Sequence, residues 1–324
     1  MYFKKLNKVE LHLHLDCSLS YEVVKKIKPE ISRNQYLTDF VGTSCSCLKD
    51  YIKCADNAVA IMQTKQELEY VTIDLFEQLK RDNVVYAEIR FAPLLHLDKG
   101  LSAYQVVKII SDITYKESKK KGIEAGLILC TLRHFTKKQS IETVDLVRAF
   151  NKANVVGFDI AADEAGYPLD NHIDAFKFAN KNNIQCTAHA GEASGCNSVL
   201  ETLDELRPQR IGHGVRSIEN SILVSRLKKE KIHLEICLTS NMVTKVYENF
   251  SDHPIDKFYE NDLSISVNTD GRSISDTNLN KEYSLLSKHF KWNKSHFLKC
   301  NLNAIKASFA SLKVKNKIIS LLNS

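Results

Sequence analysis

Short apolar runs rich in β-branched residues alternate along the chain with longer segments whose apolar positions recur every three or four residues. Residues 171–183 and 220–231 are examples of the longer segments, and their spacing is typical of amphipathic helices. The short runs predict eight strands, at residues 9–16, 84–93, 124–133, 155–164, 184–192, 210–215, 232–240 and 263–271. A strand followed by a helix, repeated eight times, predicts an α/β fold of the (β/α)8 TIM-barrel type.

Two long segments lie outside this repeat. Residues 20–80 are too long for a plain strand–helix connection, so we expect a helical insertion over the mouth of the barrel. Residues 282–324 have the pattern of closing helices. An open doubly wound sheet is the alternative fold, but no glycine-rich phosphate turn follows the first strand. No Pro/Gly-rich linker divides the sequence, and we therefore expect one domain over residues 1–324.

Composition and charge exclude several classes of function. The chain has 324 residues, 44% of them apolar, and a formal net charge of +6. Its lysine clusters, at 25–28, 119–121 and 228–231, are typical of solvated helix faces, so a nucleic-acid partner is not expected. No apolar run reaches the roughly 18–20 residues needed to cross a bilayer, and the N-terminus has no signal-peptide pattern. We therefore predict a cytoplasmic protein without a membrane partner.

Nine cysteines are spread along the chain, and in a cytosolic protein we expect them to be reduced. Cys45, Cys47 and Cys54 could form half of a zinc site. However, no Cys or His pair follows at the spacing that such a site requires.

Polar, chemically capable residues end seven of the eight predicted strands. These residues are Asp16, Arg90, Arg133, Asp163 with Glu164, His189 with Glu192, His213, and Asp270. The remaining run ends in Thr239 and Ser240. In barrels of this type the active site is built at the C-terminal ends of the strands, so residues far apart in the sequence converge there.

His12 and His14 are two positions apart in the first strand and so face the same side, into the barrel. Burying two imidazoles without partners would cost several kcal/mol (~2–7 for each unpaired polar group). A single buried histidine bonded to the backbone is the alternative for either one. With His189 and Asp270 they form a donor set suited to zinc or a similar divalent ion, which can activate water near neutral pH.

Glu192 and His213 lie beside this predicted metal site. Glu192 follows His189 by three residues, which is a position for a proton shuttle, although it could instead cap the next helix. His213, between two glycines, could orient the attacking water or stabilise developing charge, or serve only as a hydrogen-bond partner.

Eight short motifs stand in a characteristic order: HLHLD (12–16), RFAP (90–93), CTLRH (130–134), DIAADE (159–164), HAGE (189–192), GHG (212–214), NTDG (268–271) and NAIKASF (303–309). On these motifs the chain resembles the adenosine deaminase family of the amidohydrolase superfamily over nearly its whole length. The resemblance implies one zinc ion, Zn²⁺, per chain, held by His12, His14, His189 and Asp270.

The resemblance also implies roles for the neighbouring residues. Glu192 would protonate the ring nitrogen next to the reacting carbon, while His213 and Asp270 would position the attacking water. Asp16 would bond a ribose hydroxyl, and the substrate contacts would come from His14, Asp16, Ala162 and Gly271.

Three positions depart from the family pattern. Cys17 replaces a glycine after HLD, and Ala162 replaces a glycine whose backbone N–H reaches the purine. Gly271, followed by Arg272, replaces a second aspartate that meets the imidazole part of the base. Arg272 either compensates for the missing carboxylate or marks an anionic substrate.

The resemblance implies an enzyme of purine metabolism that converts adenosine and 2′-deoxyadenosine to inosine and 2′-deoxyinosine with release of ammonia. The departures leave open another 6-aminopurine substrate: adenine, an N6-substituted adenine nucleotide, or aminodeoxyfutalosine. A nucleoside-binding protein without catalysis is a more remote alternative. The sequence leaves the oligomeric state open.

Overall fold

All eight predicted strands are present in the computed structural model, which describes residues 2–42 and 45–324. Residue 1, and residues 43 and 44 of the predicted insertion, lie outside the described residues. The strands are shorter than the apolar runs because each run continues into the segment that follows the strand, and for residues 232–240 that segment includes the start of a helix at Leu238. They are β1 Lys8–His14, β2 Val84–Phe91, β3 Glu124–Leu132, β4 Val155–Ala161, β5 Thr187–Ala190, β6 Arg210–His213, β7 His233–Ile236 and β8 Ile265–Val267.

The strands form two parallel four-stranded sheets, in the orders β1-β2-β3-β4 and β5-β6-β7-β8. Single bridges join the sheets at both seams, Phe158 with Cys186 and Leu13 with Asp270. At the second seam the Asp270 N–H donates to the carbonyl oxygen of His12 at 3.0 Å, and the His14 N–H donates to that of Asp270 at 3.0 Å. These bonds close the ring, and the TIM-type barrel is confirmed.

Helices surround the strands and continue beyond them in the predicted order. They are α1 Tyr21–Ile27, α2 Arg33–Asp39, α3 Leu48–Val59, α4 Lys65–Arg81, α5 Ala103–Lys121, α6 Lys137–Ala149, α7 Ile173–Lys181, α8 Cys196–Glu205, α9 Ser221–Glu230, α10 Leu238–Val243, α11 Ile255–Glu260, α12 Leu279–Phe290, α13 Lys294–Ala307 and α14 Leu312–Asn323. Helices α1 to α3 are the helical insertion after the first strand, whereas α4 packs against α5 in the outer layer. The last three helices confirm the closing segment, and α13 packs against β1 and β8.

Local sequence fixes the ends of the outer helices. Thr64 and Glu67 form a capping box at the start of α4, and Ser102 and Gln105 form one at the start of α5. Such reciprocal bonds satisfy amide groups that have no partner within the first helical turn. Helix α5 ends at Gly122, whose φ of 68° lies in the left-handed region that glycine adopts without strain.

Buried charges fill the barrel beneath the strand ends. Glu235 on β7 is fully buried and pairs with Arg90 and Arg210, each at 2.7 Å. Arg90 also pairs with Asp159 at 2.7 Å. Because buried ions are stable only when paired, this network fixes the side chains that support the site above it.

All nine cysteines are free thiols. Among the helices of the described residues, none has the length and apolar character needed to span a membrane.

Candidate active site

Four side chains from three strands converge at the C-terminal end of the barrel. His12 and His14 belong to β1, His189 to β5, and Asp270 follows β8. Each offers one ligand atom, and these atoms all lie within 4.8 Å of one another. Among the described residues, the potential metal-binding groups do not include Cys45, Cys47 or Cys54. The structure thus brings together the four residues predicted as metal ligands, and it does not build a site from the three cysteines.

Carboxylates behind two of the imidazoles orient them. His12 Nδ1 lies 2.9 Å from Glu235 Oε2, and His189 Nδ1 lies 3.2 Å from Asp159 Oδ1. A bond of this kind places the proton on Nδ1 and leaves Nε2 as a free lone pair, as is usual for histidines that bind metal. Asp270 is held similarly, because its Oδ2 accepts the Ser240 hydroxyl at 2.7 Å.

The nitrogen and oxygen atoms that face one another in this cluster are suited to bind a divalent ion. His12 Nε2 is buried and has no hydrogen-bond partner. His14 Nε2 and His189 Nε2 are 3.2 Å apart, and Asp270 Oδ1 is 3.2 Å from His14 Nε2. Burial lowers the pKa of His14 well below its usual range, so its imidazole is neutral. Three imidazole nitrogens and a carboxylate oxygen, close together and aimed at one point, are a donor set typical of zinc.

Glu192 is buried beside this cluster in the turn after β5. The Thr244 hydroxyl donates to its carboxylate at 3.1 Å. Burial, and then the charge of Asp270, raise the pKa of Glu192 to about 8. The carboxyl is therefore protonated near neutral pH and can donate a proton.

Glu164, in the loop after β4, binds the backbone of the turn that contains Glu192, so the Glu192 side chain is not needed to hold this turn. Its carboxylate accepts the backbone N–H groups of Gly191, Glu192 and Ala193 at 2.6, 3.0 and 2.8 Å. Helix α8 begins only after Gly195, without a side-chain cap. Glu192 thus does not cap the following helix, which was the alternative that the sequence left open.

His213 faces Glu192 from the end of β6, with its Nε2 3.5 Å from Glu192 Oε2. Its φ of 60° turns the side chain toward the cluster. Burial lowers the pKa of His213 to about 4, so the imidazole is neutral. The amide of Asn241 donates to Nδ1 at 3.1 Å, with its oxygen toward His253. In this arrangement the His213 proton lies on Nε2, which faces the cluster as a donor.

A cleft with an empty volume of about 830 Å³, counting its opening to solvent, lies over these groups. Helix α3 of the insertion lines one side with mainly apolar side chains. Asp16 lines the cleft, accepts the Ala92 N–H at 3.3 Å, and has its pKa raised to about 6 by burial. Ala162 also lines it and has a φ of 76°, a conformation that suits glycine better than alanine.

Gly271 and Arg272 do not line the cleft. Gly271 is buried beneath the hydroxyl of Tyr51, which does line it. Arg272 points away and pairs with Glu10 and with Asp82 at 2.8 Å. Arg272 therefore neither replaces a carboxylate at the base nor offers a charge to the substrate, and both sequence-based interpretations of it are wrong.

Sequence reasoning missed the supporting carboxylates Asp159 and Glu235, as well as Tyr51, and it named Glu164 only as a strand-end residue. A signal existed for Asp159 and Glu235, since each is a charged residue with apolar neighbours on both sides in the interior of a strand. Tyr51 had none, because it lies in one of several amphipathic helices of the insertion.

Comparison with known proteins agrees with this arrangement. Residues 7–324 match the family model described as adenosine deaminase. A Clostridium botulinum (strain Kyoto) protein named adenosine deaminase is 35% identical over 332 residues, covering 100% of this chain and 99% of its own. One of the same name from Clostridium kluyveri is 33% identical, covering 97% and 93%.

A solved Arabidopsis structure, described as an N6-mAMP deaminase, is 25% identical and superposes with a TM-score of 0.90 over 99% of both chains. The family match extends over nearly the whole chain, and the relatives are similar along their full length. The chain therefore belongs to the adenosine deaminase family of metal-dependent hydrolases.

Proposed function

We propose that the chain deaminates adenosine and 2′-deoxyadenosine hydrolytically, with one zinc ion held by His12, His14, His189 and Asp270. The observation that carries the proposal is the convergence of these four donors beside Glu192, with the Nε2 atom of His12 buried and without a hydrogen-bond partner. The relatives from Clostridium named adenosine deaminase support the choice of substrate. When bound, the ion lowers the pKa of water so that a nucleophile is available near neutral pH.

The residues of the chain divide the remaining work. Glu192, protonated near neutral pH, gives its proton to ring nitrogen N1, which makes the adjacent carbon C6 electrophilic. His213 donates its Nε2–H to the oxygen that adds to C6 and so fixes the direction of attack. The C6–N bond then breaks and the amine leaves as ammonia. Water supplies the new oxygen and, in net terms, two protons: one converts the leaving amine to ammonia and the other restores Glu192, whose own proton stays on N1.

The cleft offers a nucleoside a polar contact for its sugar and apolar contacts for its base. Asp16 presents a buried carboxylate that can accept a hydrogen bond from a sugar hydroxyl, and α3 covers the cleft with apolar side chains. Removing the reacting carbon from bulk water strengthens each charge interaction within the site.

The test is turnover of adenosine by purified protein loaded with zinc, followed by the change in ultraviolet absorbance and by release of ammonia. We expect stoichiometric inosine and ammonia. Failure to deaminate any compound in a panel of 6-aminopurines would contradict the proposal. Ranking the panel by kcat/KM also tests the preference for nucleosides.

An N6-substituted adenine nucleotide is the second candidate substrate. A groove that adjoins the cleft at Glu192 is lined by Lys49, Arg216 and Lys245, whose charges would suit a phosphate. The similarity to the Arabidopsis protein described as an N6-mAMP deaminase also supports a nucleotide substrate. A higher kcat/KM for the nucleotide than for adenosine would decide for this candidate.

A further inference from the structure

The hydroxyl of Tyr51 occupies the space beside Asp270 that a side chain at position 271 would need. The Gly271 N–H donates to Tyr51 Oη at 3.0 Å, and Ser275 Oγ lies 3.1 Å from the same atom. A Cβ built on Gly271 would lie 2.4 Å from Tyr51 Oη and 2.8 Å from Cys17 Cβ. Since non-bonded heavy atoms do not approach so closely, a tyrosine at position 51 in this conformation requires glycine at position 271.

Tyr51 is well placed to meet a ligand. It lies on α3, is buried, and lines the cleft together with Asp270, whereas Gly271 lies behind it. Cys17 and Gly271, two of the three positions that depart from the family pattern, both lie against Tyr51. The polar group on this side of the cleft is thus contributed by the insertion and not by the barrel.

The chemistry of a purine fixes what this group would face. In the proposed reaction Glu192, which follows β5, protonates N1 on one side of C6. The Tyr51 hydroxyl lies over the ends of β8 and β1, and β1 and β5 are four strands apart in a ring of eight. A purine with N1 toward Glu192 turns the other neighbour of C6, and with it N7 of the five-membered ring, toward Tyr51.

We propose that Tyr51 determines base specificity, its hydroxyl donating a hydrogen bond to the N7 position of the purine. The inference rests on the proposed function, because it takes the orientation of the base from Glu192. The Tyr51 O–H donates to the Gly271 carbonyl oxygen at 3.4 Å, a long contact that it can exchange for a closer bond to N7. The phenol oxygen still accepts the Gly271 N–H, and Ser275 can act as a donor to it. Burial raises the pKa of Tyr51 well above its ordinary value, which keeps the phenol protonated as a donor.

Replacing Tyr51 by phenylalanine and N7 by a C–H group tests the same bond from both sides. With the zinc-loaded full chain, we would measure the Kd of inosine and of 7-deazainosine by calorimetry, and kcat/KM for adenosine and 7-deazaadenosine. The unaltered protein is expected to prefer the N7 ligands by roughly 3- to 10-fold, the range for a neutral hydrogen bond. In Tyr51→Phe that preference falls to nearly one.

Tyr36→Phe is the matched control. Tyr36 is also a buried tyrosine of the insertion, and its hydroxyl donates to the Leu19 carbonyl at 2.9 Å, but it does not line the cleft. This variant should keep the N7 preference even if its stability falls. An unchanged preference in Tyr51→Phe, with adenosine turned over normally by the unaltered protein, overturns the inference. Absence of both inosine binding and turnover in the unaltered protein instead overturns the proposed function.

Discussion

The backbone N–H of Asp270 donates to the carbonyl oxygen of His12 at 3.0 Å, so the bond that closes the barrel also joins two of the four metal-ligand residues of the site.

 Because β8 and β1 meet at this seam, the Asp270 carboxylate lies beside the imidazoles of β1, with Oδ1 3.4 Å from His12 Nε2 and 3.2 Å from His14 Nε2. The geometry of the site is thus part of the geometry of the barrel. A change that loosens the seam is expected to affect the donor cluster and the fold together.

His12→Ala should remove most of the bound metal. The variant deletes one of the converging ligand nitrogens, and it leaves Glu235 without its imidazole partner. Metal content per chain, measured after dialysis, is expected to fall well below that of the unaltered protein. His134→Ala is the control, since His134 lines the cleft outside the cluster and its loss should leave the metal in place. Full metal content in His12→Ala would contradict the four-donor site.

Glu192→Gln should keep the metal and lose several orders of magnitude in kcat. The amide fills the same space and can still accept the Thr244 hydroxyl, but it cannot deliver a proton to N1. Metal analysis and single-turnover kinetics on one preparation separate the two effects. A variant with nearly full activity would show that another group supplies the proton.

The sequence predicted the barrel and the donor cluster because both follow from short-range patterns. The two-residue period of β1 places His12 and His14 on one face, and a parallel barrel brings the end of every strand to one rim. His189 and Asp270 could therefore be assigned to the same site without knowledge of any distance.

The base-binding side could not be predicted in this way, because it depends on contacts between distant segments. Tyr51 meets Gly271 across 220 positions of the chain, and the depth at which α3 packs decides that contact. Arg272 turns away from the cleft because Glu10 and Asp82, from two other elements, pair with it. No local pattern encodes either arrangement.

Ala162→Gly should stabilise the protein. The φ of 76° places Ala162 in the left-handed region, which costs an L-residue roughly 1–2 kcal/mol, and part of the gain is offset by the greater entropy of glycine in the unfolded chain. We expect the free energy of unfolding to rise by about 0.5–1 kcal/mol, measured by urea titration. Ala161→Gly, at the end of β4 and outside the left-handed region, should instead lower it. A loss of stability in Ala162→Gly would show that the alanine methyl contributes more by packing than its backbone costs.

Glu282→Gln should flatten the dependence of stability on pH. Burial raises the pKa of Glu282 to about 7, although the Thr239 backbone N–H and both nearby threonine hydroxyls stabilise its charged form. The folded state therefore binds a proton more tightly than the unfolded state, whose carboxyl has a pKa near its usual value of about 4.3. Stability is lost as pH rises from about 4.3 to about 7 and then levels off, because the unfolded state binds fewer protons in that window.

Urea titrations at pH 4.5, 6 and 7.5 measure this dependence. Over that range the unaltered protein should lose more stability than Glu282→Gln, by on the order of 3 kcal/mol. Glu30→Gln is the control, because Glu30 is exposed and its replacement should leave the curve unchanged. Parallel curves for the unaltered protein and Glu282→Gln would mean that the buried carboxyl does not take up a proton on folding.

Gly271→Ala should cost less stability when the hydroxyl of Tyr51 is absent. The added methyl would lie 2.4 Å from Tyr51 Oη, and overpacking of this kind typically costs about 1–3 kcal/mol. In Tyr51→Phe the nearest conflicting atom is gone, although Cys17 Cβ would still lie 2.8 Å from the methyl. The double variant should therefore be more stable than the sum of the single changes by roughly 0.5–3 kcal/mol. Gly195→Ala, where the nearest atom would be 3.3 Å away, is the steric control and should show no such coupling with Tyr51→Phe. Strictly additive losses for Gly271→Ala and Tyr51→Phe would show that the two residues do not compete for one space. The Tyr51 hydroxyl would then not be the group that occupies the position beside Asp270.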